Sequence, residues 1–288
     1  MSRRDLARHP NFERVSPALG ELDEEAVRAG LAQDPDEMLA LLASLSQATD
    51  RRLAELSRRL AARLLLAIAQ SGPTARASGR RLRRAPADDA SLDLDLDASF
   101  DGVLEARSQR RPLQLDDLIA TRWERPTVAV CLLVDRSGSM SGERLATAAL
   151  AAAICTWRGG QELSVFAFGQ HVIELKPMGH VADASSVVGQ VLGLRGYGTT
   201  DLAAALLAAR RAQAASTSRR RVTLLLSDAE ATTGGDPIPL ARALEELIVI
   251  APRDAQHLAR TFADRAGARL GLVDRPSSIV AVLNKALS

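Results

Sequence analysis

Three short polar segments contain side chains that bind hard cations through oxygen. Residues 135–142 read Asp-Arg-Ser-Gly-Ser-Met-Ser-Gly, residues 196–201 read Gly-Tyr-Gly-Thr-Thr-Asp, and residues 227–230 read Ser-Asp-Ala-Glu. They offer carboxylates and hydroxyls but no His or Cys, which argues against zinc and copper. Mg²⁺ prefers six oxygens, retains bound waters and often takes only one or two protein carboxylates. The donor types therefore predict a Mg²⁺ site, in which Mn²⁺ can substitute.

Each polar segment adjoins a predicted element of an α/β sheet. The apolar runs TVAVCLLV (127–134) and VTLLLS (222–227) predict buried central strands, and each leads into a polar segment. The remaining segment immediately precedes an Ala- and Leu-rich helix predicted over 201–213. Ligands of open α/β sheets bind in the crevice outside the carboxyl ends of the strands. We therefore expect the three segments to converge at that edge.

The chain after Arg125-Pro126 alternates short apolar runs with helical stretches, which is typical of parallel βαβ units. Only Gly169 and Gln170 separate the strands predicted at 162–168 and 171–175, so a hairpin and an antiparallel edge strand are expected. Further strands are predicted within 244–252 and 268–273, further helices over 143–157 and 183–192, and a closing helix from Pro276. The predicted fold class is Rossmann-like α/β, with a mostly parallel sheet flanked by helices and an α-helical N-terminal region.

The N-terminal region is predicted to be helical up to residue 70. Asp34 and Pro35 form a helix start, and the leucines that follow at helical spacing predict one amphipathic helix, or two joined near Thr49. Residues 71–92 combine Gly, Pro, Ser and Arg without hydrophobic periodicity, which predicts a linker. We assign 93–288 to the α/β domain, with its core at 127–288. In the run SLDLDLD (91–97) the aspartates would share one face of a strand, which indicates a solvated edge.

The order of the polar motifs resembles the metal-ion-dependent adhesion site of von Willebrand factor A (VWA) domains. In that family Asp-x-Ser-x-Ser follows a buried strand, a Gly-rich loop contributes a Thr, and a later strand ends in Asp. The resemblance covers roughly residues 127–288. Carried over by position, it implies these metal ligands: Asp135, Ser137, Ser139, Thr200 and Asp228.

Three neighbouring residues remain alternatives. Family members resemble Gly-Thr-Asp/Asn, so Thr200, which adjoins Asp201, aligns better than Thr199. Asp201 and Glu230 could orient the metal ligands, or they could be exposed helix caps. The polar residues of all three segments could also be simple helix caps, although their convergence on one edge favours a metal site.

The resemblance implies a metal-dependent protein-binding module in which the cation captures an Asp or Glu carboxylate of a partner protein. The layout is similar to bacterial intracellular VWA proteins of the CoxE-like and MoxR-associated types. This similarity implies an adaptor for a MoxR-type AAA+ ATPase in metal-centre insertion or complex remodelling. The alternative is a stand-alone scaffold, or a component of a conflict or stress system, that works without an ATPase. A metal-dependent phosphoester hydrolase is a third possibility.

The sequence argues against catalysis by the chain itself. Phosphatases of the haloacid dehalogenase type resemble Asp-x-Asp-x-Thr, but Ser137 stands at the second Asp position. In the run Gly138-Ser139-Met140-Ser141-Gly142, Met140 occupies the nucleophile position of a serine-hydrolase elbow. The chain also has no G-x-x-x-x-G-K-[ST] phosphate loop. We expect a non-enzymatic protein, with any ATP hydrolysis supplied by a partner.

Composition narrows the expected partners and the compartment. The formal net charge is +2, from 37 basic and 35 acidic residues, so a nucleic-acid partner is not expected. Cys131 and Cys155 lie in apolar runs, where reduced, buried thiols are expected. No apolar stretch resembles a signal peptide or approaches the ~18 residues of a membrane helix. We expect a cytoplasmic protein that does not contact membranes.

Overall fold

The computed structural model describes residues 1–71, 81–87, 93–124, 128–137, 142–196 and 198–287. The chain divides into two compact units. The large unit comprises Met1–Thr74 and Thr127–Ser288, and the small unit comprises Ala75–Pro126. This division differs from the predicted one, in which 71–92 was a linker and 93–288 belonged to the α/β domain.

The elements are numbered in chain order. The helices are α1 (Arg3–Leu6), α2 (Phe12–Val15), α3 (Glu24–Gln33), α4 (Pro35–Leu45), α5 (Arg51–Ser71), α6 (Leu96–Ser108), α7 (Glu143–Gly159), α8 (Ala184–Leu192), α9 (Leu202–Ala214), α10 (Ile238–Arg242), α11 (Gln256–Ala266) and α12 (Ile279–Leu287). The strands are β1 (Arg81–Pro86), β2 (Asp93–Leu94), β3 (Ile119–Glu124), β4 (Val128–Asp135), β5 (Leu163–Phe168), β6 (Val172–Lys176), β7 (Arg220–Leu226), β8 (Glu246–Pro252) and β9 (Arg269–Val273). Short 3₁₀ turns occupy Leu115–Asp117, Arg253–Ala255 and Pro276–Ser278.

The large unit is built on a sheet with the strand order β6-β5-β4-β7-β8-β9. Its neighbouring strands are parallel, except that β6 pairs with β5 in the antiparallel sense. The Rossmann-like fold class and the antiparallel edge strand are therefore confirmed. The register pairs Val134 with Leu226, so β4 and β7 end side by side. The polar segments that follow these two strands consequently start at the same edge of the sheet.

Helix α7 connects the sheet to the N-terminal helices. Residues 148–156 of this helix are buried without interruption, which is more than two helical turns and hence the whole circumference. A helix that is apolar all round needs cover on every side. The sheet strands β4 and β5 contact α7 from one side, and α4, α5 and α8 also pack against it. The N-terminal region is therefore part of the same hydrophobic core as the α/β fold.

The predicted helix start at Asp34 is confirmed, and the alternative of two helices is the correct one. Asp34 Oδ1 accepts hydrogen bonds from the backbone N–H groups of Asp36 (3.1 Å) and Glu37 (3.0 Å). Residues 46–50 interrupt the pattern between α4 and α5. In the segment between α4 and α5, Ser46 Oγ donates to the carbonyl of Leu192 at 2.8 Å, which attaches this segment to the end of α8.

None of the helices in the described ranges has the length and apolar character that a membrane span requires.

The small unit contains a three-stranded antiparallel sheet with the order β1-β3-β2. Strand β1 lies in the segment predicted as a linker. The sequence did not indicate this strand, because its pairing with β3 is long-range and leaves no periodic signal in the sequence. The prediction of three aspartates on one strand face was also wrong. Asp95 Oδ1 accepts from the N–H of Ala98 at 3.0 Å, so Asp95 is a helix cap and Asp97 lies in the first turn of α6. Aspartate is a strong N-cap residue, and the cap ends the strand after Leu94.

Both cysteines are buried free thiols, as predicted. Cys131 lies in β4 and Cys155 lies in α7. Burial raises the pKa of each thiol to about 12, which keeps both neutral at physiological pH. The two side chains therefore act as small hydrophobic groups within the core.

The shared core predicts that a substitution in α4 destabilises the α/β fold. Leu42 is fully buried, so Leu42→Ala should lower the free energy of unfolding by about 2–5 kcal/mol. The control is Leu19→Ala, at a side chain that is 79% exposed. It should change the free energy of unfolding by less than about 0.5 kcal/mol. Urea unfolding is followed by the fluorescence of Trp157 on α7, in a Trp123→Phe background. An unchanged Trp157 transition in Leu42→Ala would show that α4 folds as a separate module.

Candidate metal site at the carboxyl edge of the sheet

Asp135 is the last residue of β4 and lies between β5 and β7. Its side chain is buried, with the residue only 4% exposed. Oδ2 accepts a hydrogen bond from Ser227 Oγ at 2.6 Å, and Oδ1 accepts from the backbone N–H of Ser137 at 2.8 Å. A carboxylate has about four lone-pair positions, so two bonds fix its orientation and leave acceptor capacity for a cation.

The electrostatic environment of Asp135 disfavours the ionised form of its carboxyl group. Burial raises the pKa of this carboxyl group, and the nearby charge of Asp228 raises it further. The hydrogen bonds from Ser227 and Ser137 act in the opposite direction. Among the described residues no Lys or Arg forms an ion pair with Asp135. An ionised carboxylate without a countercharge is costly to bury, and a bound cation would offset that cost.

The third polar segment begins where β7 ends, and Ser227 is its first residue. Ser227 is buried, and its Oγ both donates to Asp135 and accepts from the N–H of Ala229 at 2.9 Å. Ala229 has a positive φ of 62°, which turns the chain sharply after the strand. Asp228, the predicted ligand, is half-buried, and its Oδ1 accepts from the N–H of Glu230 at 3.1 Å. Glu230 itself is exposed.

Ser227 was not predicted as a site residue, although the sequence contains the signal. The parallel register of β4 and β7 aligns Val134 with Leu226, and the next residues along the two strands are Asp135 and Ser227. A hydroxyl beside a buried carboxylate at adjacent strand ends is positioned to donate a hydrogen bond. The strand pairing was needed to see this, because the two residues are 92 positions apart.

The second polar segment is held at the end of β5. The backbone N–H of Asp201 donates to the carbonyl of Gly169 at 2.9 Å, directly after β5. The backbone N–H of Thr200 donates to Thr232 Oγ1 at 2.8 Å, and the backbone N–H of Thr232 donates to the Thr200 carbonyl at 3.1 Å. Thr200 is buried, and its hydroxyl is the predicted metal-ligating group of this segment.

The structure distinguishes Thr200 from the alternatives beside it. Thr199 is exposed, whereas Thr200 is only 3% exposed. Asp201 is the N-cap of α9, since its Oδ1 accepts from the N–H of Ala204 at 2.9 Å. Gly234 packs so closely on this carboxylate that a Cβ at position 234 would lie 2.3 Å from Asp201 Oδ1. Asp201 therefore caps α9, and its other predicted role, orienting the metal ligands, stays a prediction.

Three of the predicted ligands line one cleft. Asp135, Ser137 and Asp228 border an open cleft of about 630 Å³, solvent at its mouth included. Its other walls come from the first turns of α7, from the ends of β7, β8 and β9, and from the 3₁₀ turn that starts at Pro276. Thr200 is not among the residues that line this cleft; its neighbour Asp201 is hydrogen-bonded to Gly169 at the end of β5. Ser139, the fifth predicted ligand, falls in 138–141, outside the described residues.

The donor set fits a hard divalent cation. Within the part of the chain that the structure describes, no three His, Cys, Asp or Glu side chains form a metal-ligating group. A cation here would rely on two carboxylates, on hydroxyl oxygens and on water, which is a set that Mg²⁺ accepts. Because few of its ligands would be anionic, the ion would still attract a further anionic ligand.

A family model described as "VWA domain containing CoxE-like protein" matches residues 43–260, which is more than half of the chain. No curated protein matches. The chain is also similar, at low sequence identity, to solved structures.

Proximal thread matrix protein 1 from the mussel byssus is 14% identical, with a TM-score of 0.44 over 56% of this chain and 47% of that one. A von Willebrand factor type A protein from Catenulispora acidiphila is 17% identical, with a TM-score of 0.44 over 59% and 43%. Manganese-loaded TRAP protein from Plasmodium vivax is 22% identical, with a TM-score of 0.46 over 57% and 74%. The chain thus spans less than half the length of the first two proteins.

The family model extends well beyond the strands that carry the polar segments. It starts within α4 and ends within α11, so it includes the end of the N-terminal helical region and the whole small unit. The mostly parallel sheet with flanking helices is consistent with the α/β fold of a VWA domain. The chain belongs to the VWA domain-containing CoxE-like proteins.

Proposed function

We propose that this protein is a metal-dependent protein-binding module. The observation that carries the proposal is Asp135, a buried carboxylate that Ser227 and Ser137 fix in orientation. Within the described part of the chain, no Lys or Arg forms an ion pair with it. Asp228 adds a second carboxylate at the same edge of the sheet. A site of this kind is stabilised by a cation, and membership in a VWA family supports that use of it.

The residues that would hold the cation, Mg²⁺ with Mn²⁺ as a substitute, are Asp135, Ser137, Ser139, Thr200 and Asp228. When bound, the cation supplies an electrophilic position that an Asp or Glu carboxylate of a partner protein can occupy. Ser227 orients Asp135 by donating to Oδ2 and favours its ionised form. The cleft beside Asp135 provides space for the partner segment that carries the incoming carboxylate.

The wider role that we propose is a cytoplasmic adaptor for a MoxR-type AAA+ ATPase, acting in metal-centre insertion or complex remodelling. The CoxE-like family match supports this role, and the absence of a phosphate-loop motif from the sequence leaves ATP hydrolysis to a separate protein. The alternative is a stand-alone scaffold, or a conflict- or stress-system component, that binds its protein ligand without an ATPase. In either case the chain acts by binding, not by catalysis.

Metal binding is tested by isothermal titration with Mg²⁺ and Mn²⁺. The wild-type protein should bind one ion, while Asp135→Ala and Asp228→Ala should weaken binding by at least tenfold, since each removes a charged ligand. Asp264→Ala, at an exposed position on α11, is the matched control and should bind like the wild type. Circular dichroism should show native structure in all variants. Equal affinity in wild type and Asp135→Ala would contradict the site.

Ser227→Ala tests the orienting hydrogen bond. Partners that orient a metal ligand commonly contribute 10- to 100-fold in metal affinity, so a loss of roughly tenfold is expected, with one ion still bound. Ser186→Ala removes an exposed hydroxyl on α8 and is the control. The affinities are measured by competition with a fluorescent Mg²⁺ indicator. If Ser227→Ala binds as tightly as the control, the hydrogen bond to Asp135 has no role in metal binding.

Partner capture is tested with a MoxR-type ATPase from the same organism. The immobilised protein should retain the ATPase in Mg²⁺, and EDTA or Asp135→Ala should abolish retention, because both remove the cation that receives the carboxylate. Asp264→Ala should retain the ATPase. Retention that survives both EDTA and Asp135→Ala would rule out the metal bridge, and no retention at all would favour the stand-alone scaffold. Turnover of p-nitrophenyl phosphate that is lost in Asp135→Ala would instead favour a hydrolase.

A further inference from the structure

Helix α6 of the small unit buries its small side chains. Ser99 and Ala106 are each 2% exposed. Ser99 Oγ accepts from the N–H of Ile119, at the start of β3, at 2.8 Å. At Gly102 the helix approaches the 3₁₀ turn so closely that a Cβ would lie 2.2 Å from the carbonyl oxygen of Asp117. The inner face of α6 is therefore a close backbone contact that has no room for large residues.

The large apolar side chains of α6 are exposed to solvent instead. Leu96 is 75% exposed, Phe100 is 60% exposed and Leu104 is 48% exposed. Their spacing of four residues places them on one stripe of the helix surface. This distribution is the reverse of an ordinary amphipathic helix, which buries its large apolar residues. An exposed apolar stripe of this kind is typical of an interaction surface.

The charges beside this stripe complement a second copy of the same helix. Asp97 lies in the first turn of α6 and Arg107 lies in its last turn; both are exposed. Neither forms an ion pair within the described residues. In an antiparallel pair of α6 helices, the start of one helix lies beside the end of the other. Arg107 leans towards the start of its own helix, which brings it within reach of Asp97 of the second copy.

We propose that two copies of this chain associate through antiparallel α6 helices, related by a twofold axis near Phe100. Leu96 then packs against Leu104 of the second copy, and the two Phe100 rings meet at the axis. Rows of residues spaced by four interdigitate when helices cross at about −50°, the commonest class of helix packing. The arrangement is isologous, so each Asp97–Arg107 contact occurs twice.

The expected affinity is modest. One helix from each copy provides less than the roughly 1,200 Å² that standard interfaces bury, so dimerisation in the micromolar range is expected. The proposal is independent of the metal site, because every residue it uses belongs to the small unit. EDTA should therefore leave the dimer intact, whatever its effect on partner capture.

Sedimentation velocity of the full chain, from about 1 to about 200 µM, tests association. The wild type should pass from monomer to dimer, and Phe100→Glu should stay monomeric, since it places two negative charges at the axis. Leu258→Glu, at a leucine on α11 that is 46% exposed, is the matched control and should dimerise. Circular dichroism checks that both variants fold. A wild type that is monomeric throughout, or a dimer that Phe100→Glu leaves intact, would overturn the proposal.

A charge exchange tests the antiparallel geometry. Arg107→Glu and Asp97→Arg should each raise the dimer Kd by roughly 5- to 30-fold, because each homodimer then contains two like-charged contacts. An equimolar mixture of the two variants restores opposite charges at both contacts. Its Kd should return to within about threefold of the wild type. Failure of the mixture to recover would overturn the antiparallel pairing.

Discussion

The burial of α7 on all sides is the constraint on which the rest of the large unit depends. A helix with an uninterrupted buried run from 148 to 156 is stable only between two apolar layers. The sheet supplies one layer, and α4 and α5 contribute to the other. Because alanine dominates this run, the neighbouring backbones approach closely, and the N-terminal helices become part of the core. The start of α7 also fixes the end of the first polar segment, which leads from Asp135 into the helix.

Asp135 illustrates how a parallel sheet creates a binding position. Strand β4 places the Asp135 carboxylate at the edge of the sheet where the strand pairing ends, and the neighbouring strand β7 places Ser227 beside it. Burial opposes the ionised form of Asp135, while the two hydrogen bonds favour it. The balance between these effects leaves a group that is ordered before any ligand arrives and gains from a positive charge. Preorganisation of this kind reduces the free energy spent on ordering the site at the moment of binding.

Sequence reasoning was accurate where local patterns decide the structure. The buried strand before Asp135, the cap at Asp34 and the antiparallel edge strand β6 each follow from short-range composition. The predictions were wrong or incomplete where the structure depends on pairing between residues far apart in the sequence. The antiparallel partner of Arg81 is Glu124, and no periodicity in 71–92 indicates that pairing. Ser227 was missed for the same reason. At Asp95 two local preferences competed, and the helix cap prevailed over the alternating strand pattern.

The discontinuity of the large unit has a consequence for the newly made chain. Residues of α4 and α5 leave the ribosome well before α7, whose last turn lies about 90 residues further on. At synthesis rates of roughly 5–20 residues per second, the apolar sides of α4 and α5 stay uncovered for several seconds. The small unit is contiguous in sequence and is completed within that interval. Its antiparallel sheet can thus form first, while the apolar sides of α4 and α5 stay uncovered until α7 has been synthesised.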